Sequence, residues 1–136
     1  MKRISGLLFI AAFFAFGCSD PTPLQAPTPV TPSVTDTFTG SLAPFATNSH
    51  PFVVADVGGV KVTLTTVDPS IQLAVGIGTP STTTGSCVVI NSVLTNAGTA
   101  PQLSGTATVK GNFCVAVSDV GNVTDTATYT VTVLHS

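Results

Sequence analysis

The residues able to do chemistry are few: three cysteines, two histidines, six aspartates and one tyrosine, with no glutamate and no tryptophan. A hydrolase needs a nucleophile, a base and a group that orients the base. The only imidazoles are His50 and His135. His135 is the penultimate residue, where chains fray. His50 stands just before Pro51 at the opening of a strand pattern, a solvated position. Neither is expected to be catalytic. The chain has no Gly-x-Ser-x-Gly elbow, phosphate-binding loop or His-Glu zinc motif. The aspartates sit at turn signals: Asp56 before Gly58, Asp68 before Pro69, Asp119 before Gly121, and Asp125 near a strand start. Turn aspartates serve to bond nearby backbone amides, which is a structural role rather than a glycosidase pair. Asp119, Asn122 and Asp125 do offer hard oxygens in one loop, so structural calcium is the one metal expectation, although the spacing departs from an EF-hand. No other cofactor is expected.

Cys18 follows an apolar N-terminal run, which leaves Cys87 and Cys114 in the body of the chain. Two such thiols in an exported domain imply a disulfide, joining neighbouring strands or crossing between sheets. Neither has a CxxC partner or a nearby histidine, so metal ligation is the lesser alternative.

These residues must be positioned by three successive regions. Lys2 and Arg3 precede an apolar run from Leu7 to Phe16 that is too short to span a bilayer and reads as an export signal. Its end, Ala15-Phe16-Gly17-Cys18, resembles the lipobox of bacterial lipoproteins. That resemblance implies cleavage after residue 17, acylation of Cys18 and attachment to a membrane. Ser19 behind it implies delivery to the outer membrane or cell surface. Residues 18–36 then read as a tether. Pro21, Pro23, Pro27, Pro29 and Pro32 remove amide donors and enforce extended chain, with a reach on the order of 50 Å.

Residues 37–136 read as strands throughout. Val60, Val62 and Leu64 alternate with polar neighbours, as do Ile71, Leu73, Val75 and Ile77, then Phe113, Val115 and Val117, then Tyr129, Val131 and Val133. A period of two with Thr on the other face is the mark of a half-buried antiparallel strand. Shorter candidates are Phe38 to Leu42, Pro51 to Ala55, Cys87 to Ile90 and Leu103 to Val109. Asn91 to Gln102 reads as irregular. About eight strands separated by Gly, Asn and Pro turns give an all-β, jelly-roll-like antiparallel sandwich. Tyr129 falls on the inward face. Loss of the signal would leave two lysines against six aspartates, which excludes a phosphate-backbone ligand.

The strand strings Thr37–Leu42, Pro51–Val54 and Gly59–Leu64, with Gly111–Val117 and Tyr129–Val133, resemble bacterial pre-peptidase C-terminal domains. That resemblance implies a sandwich of about eight strands found beside secreted peptidases, with some members similar to carbohydrate-binding modules and some binding calcium. The expectation is a non-catalytic cell-envelope lipoprotein that presents a binding or scaffolding module to an unknown protein or glycan. The alternatives are a carbohydrate-binding module and an accessory domain to a secreted peptidase.

Overall fold

The computed structural model describes residues 31–136. Cys18, the signal and the tether up to residue 30 lie outside them. Eight strands follow in order: β1 (Val34–Leu42), β2 (Thr47–Val54), β3 (Gly58–Asp68), β4 (Leu73–Pro80), β5 (Cys87–Thr95), β6 (Leu103–Ala107), β7 (Gly111–Ser118) and β8 (Ala127–His135). They form two four-stranded sheets, β1-β8-β3-β6 and β2-β7-β4-β5, whose pairs are all antiparallel. The sequence reading of an all-β sandwich therefore holds.

The alternation explains the core. Val60, Val62 and Leu64 of β3 and Tyr129, Val131 and Val133 of β8 are buried, and they pack with Leu73, Val75, Val115 and Val117 of the other sheet. Burying each such side chain contributes about 1.5–3 kcal/mol. The opposite face of the first sheet is threonine: the register sets Thr37, Thr132 and Thr63 in one row and Thr39, Thr130 and Thr66 in the next.

Several boundaries differ from the sequence reading: β2 begins at Thr47 rather than Pro51, β4 at Leu73 rather than Ile71, and β6 ends at Ala107 rather than Val109. β1 begins at Val34, so residues 34–36 belong to the sheet and not to the tether. Val34 pairs with His135, which is what holds both in place. β5 runs on to Thr95 through the stretch read as irregular. Gly58 and Gly59, a pair that suits a turn between strands, instead lie inside β3.

Because consecutive strands run up and down, the connections sort to two ends. The chain comes into the sandwich at Val34, beside His135. The other end of β1, Leu42, pairs with Ala127, so the β1–β2 and β7–β8 connections share the far end. At about 3.3 Å per residue that end lies about 26 Å from Val34.

The end of the β4–β5 hairpin leaves the sheet. β4 pairs with β7 only from Ala74 to Gly78, and the register of β4 against β5 shifts between Ile77 and Gly78. There the backbone of Val88 and Val89 passes so close that a Cβ on Gly78 would collide with the Val88 carbonyl. Cys87 is thereby carried over the outer face, where its amide donates to Ser49 Oγ of β2 at 3.3 Å.

Candidate functional site

Three places concentrate the groups singled out by sequence. The first is the disulfide. Cys87 and Cys114 are bonded, with Cα atoms 5.8 Å apart. The bond joins β5 to β7 within one sheet, skipping over β4, so it spans neither neighbouring strands nor the two sheets. Its route is possible because Gly78 lies beneath.

The second is the seam between β1 and β2. His50 is not a solvated strand end. Its ring is half-buried, stacks on Phe38 at 4.9 Å between centroids, and places Nε2 2.7 Å from the Tyr129 hydroxyl. The Tyr129 ring in turn lies over Gly40, where a Cβ would approach its hydroxyl to 2.5 Å. Burial holds the His50 pKa below the ordinary imidazole value. Burial also raises Tyr129, against a smaller opposing effect of Asn48. His135, expected to fray, is 3% exposed, with Nε2 2.9 Å from Asp36 Oδ2 and its ring 5.1 Å from that of Phe52. The two histidines are thus fastened to different partners, His50 to the Tyr129 hydroxyl and His135 to Asp36, and among the described residues no serine, threonine or cysteine side chain is bonded to either.

The His50 shift carries a sign. Below about pH 6.5 the unfolded imidazole takes up a proton that the folded one resists. Stability is therefore full above that pH and falls as the pH drops through the folded pKa. Denaturant melts at pH 7.5 and pH 5 should show this loss, and His50→Gln should reduce the difference between them. An unchanged difference would assign the pH dependence to other groups.

The third place is the far end of the sandwich. Asp119 is buried, and its carboxylate accepts four backbone amides: Phe45 at 2.8 Å on Oδ2, and Gly121, Asn122 and Val123 at 2.8–3.0 Å on Oδ1. Burial pushes its pKa up, but the amides of Phe45, Val123, Asn122 and Gly121 together outweigh that and hold it below the ordinary carboxylate value. This is the turn role that the sequence suggested, extended to a second loop. Asn122 gives its side-chain N–H to the Gln72 carbonyl at 3.0 Å, and Asp125 is exposed. Among the described residues no group of three or more His, Cys, Asp or Glu could hold a metal ion. A cation on Asp119 Oδ1 would have to displace three amides. Calcium added to a chelator-treated sample is therefore expected to leave the melting temperature unchanged, and a rise would reveal a different ligand set.

What sequence reasoning missed is Phe45. Its backbone is left-handed, with φ 57°, and its side chain is 79% exposed. A bulky residue in that region is strained, and such strain gathers at binding sites. The turn is held on both sides: Ala46 N–H donates to Ala43 O at 3.1 Å, and Asp119 N–H donates to Ala46 O at 3.0 Å. The ring lies against Gly121, whose Cβ position would be 3.3 Å from it. Val120, 54% exposed, stands next to that glycine in the neighbouring loop. The pair Pro44-Phe45 between two strand patterns was the available signal, but nothing local to it shows that an aspartate 74 residues away will fix the turn.

No family model matches the chain, and no curated protein sequence matches it. Several solved structures are similar in shape, among them two bacterial proteins. One is described as a periplasmic lysozyme inhibitor of g-type lysozyme, PliG, from Aeromonas hydrophila. It is 13% identical with a TM-score of 0.51, covering 73% of this chain and 83% of that one. The other is a Bacillus endospore appendage from a family of disulfide-linked pili, 13% identical with a TM-score of 0.32, over 85% of this chain and 98% of that one. The first shares the β-sandwich fold.

Proposed function

We propose that the chain is a non-catalytic cell-envelope lipoprotein, acylated at Cys18, whose sandwich is a binding module with its contact surface at the end remote from the tether. The observation that carries this reading is Phe45: a large apolar ring held in water on a strained turn, clamped by a buried carboxylate. Aromatic anchors of this kind dominate binding energy when they fill a partner's pocket. The titratable groups support the non-catalytic part, because His50, His135 and Asp119 are each engaged in fastening the fold. The lipobox-like Ala15–Cys18 and the resemblance to pre-peptidase C-terminal domains support the address and the module type.

A second reading takes its partner from the periplasmic neighbour, whose description makes it an inhibitor of g-type lysozyme. On this reading Phe45 enters the cleft of a cell-wall hydrolase.

The full chain should be tested against purified peptidoglycan, a glycan panel and a g-type lysozyme, beside Phe45→Ala. The expected result is binding of one of these, weakened at least about tenfold by Phe45→Ala with the melting curve unchanged. Equal binding by the two proteins would remove the tip from the reading. Inhibition of lysozyme turnover would select the second reading over glycan capture. Anchoring is checked separately: Cys18→Ser should lose metabolic labelling by a fatty acid and leave the membrane fraction.

A further inference from the structure

From Pro69 to Val109 the chain contains no Asp, Glu, Lys, Arg or His. Those 41 residues build β4, β5, β6 and their connections, so one lateral side of the sandwich, the side away from β1 and β2, comes from uncharged chain. Every charge of residues 31–136 lies on other elements, as five aspartates and two lysines. Two copies of this net-negative protein repel each other elsewhere, and here no like charges meet.

The same side is unfinished as structure. Among the described residues β5 pairs with β4 alone and β6 with β3 alone, so both sheets end here in open edges. Natural edges are commonly shielded by lysine, proline or a bulge. β5 has only the irregularity near Ile90, which throws that side chain out to 74% exposure. Beyond it, Asn91–Thr95 continues in regular register against Leu73–Ile77. Between the sheets an apolar groove of about 180 Å³ opens, lined by Val60, Ile77, Ile90, Ala107 and Phe113 among others.

We propose that this side is covered by a second copy of the chain, through antiparallel pairing of Asn91–Thr95 about a two-fold axis at Val93. The pairing is self-consistent. Asn91 meets Thr95 on the core-ward face and Ser92 meets Leu94 on the outer face, so no residue is forced across the sheet. The two sheets containing β5 join into one of eight strands. The exposed Ile90 and Leu94 gain apolar neighbours. This surface is separate from the Phe45 tip, and the proposal does not depend on what the tip binds.

Sedimentation of the full chain in detergent tests it, beside Leu94→Lys and Ile90→Lys. The expected result is a dimer that each charge weakens at least about tenfold. A wild-type monomer at high concentration, or a dimer indifferent to both lysines, overturns the proposal. Position offers an independent check. Residues facing each other across the axis have Cα atoms about 4.5–5.5 Å apart, within disulfide range. Val93→Cys should therefore give a reducible dimer on oxidation, whereas Thr37→Cys on the opposite side should not. Equal cross-linking at both positions, or none at Val93→Cys, sinks the assignment.

Discussion

Replacing Gly78 with valine is expected to lower stability by at least about 3 kcal/mol and the melting temperature by about 10–20 °C. The reason is geometric. The Val88 and Val89 backbone occupies the space that a Cβ at position 78 would need. The collision is with main chain rather than with the flexible end of a side chain, so no rotamer change relieves it. The hairpin must lift from the outer face, uncovering Cys114 and Ala116, both buried in the native protein. A thermal melt with thiol titration checks this. A Gly78→Val protein that melts within a few degrees of wild type would show that the hairpin has room to shift.

Removing the disulfide by Cys87→Ala with Cys114→Ala should cost about 3–4 kcal/mol, given the sequence separation of 27 between the partners. The loss should be uneven. Val88 to Ile90 should exchange their amide hydrogens faster, while the central β3–β8 ladder keeps its order of protection. The bond and Gly78 hold one device, so the triple variant should lose less than the sum of the two effects. Full additivity would mean that the glycine and the bond act on separate parts of the protein. Hydrogen exchange with denaturant melts decides between these outcomes.

The sequence disclosed what depends on short-range periodicity. β8 alternates cleanly, and the inward Val60, Val62 and Leu64 of β3 and Tyr129, Val131 and Val133 of β8 are buried, whereas in β7 the outward Cys114 and Ala116 are buried as well as the inward Val115 and Val117. The pairing of Cys87 with Cys114 followed from compartment and count. What escaped depends on distant partners. β5 was cut short because the irregularity at Ile90 breaks the parity of Val88 through Leu94 and hides the strand. The disulfide's path over β4 rests on the space left by Gly78, which spacing alone does not reveal. His135 was read as a loose end, although its register with Val34 and its bond to Asp36 bury it. Asp119 was seen as a turn former, but its hold on Phe45 spans two loops that meet only in the folded sheet. The site was legible as single residues and not as an arrangement.

The position of β1 has a mechanical consequence. Val34, where the chain comes in, and the turn carrying Phe45 stand at opposite ends of one strand. Tension between an anchor and anything gripped at that turn would run straight along this strand's axis. That load would pass through covalent backbone that is already extended, so the nine paired positions with β8 would not have to give way one after another like a zip. A ribbon hauled sideways peels at low force, and this one is drawn lengthwise.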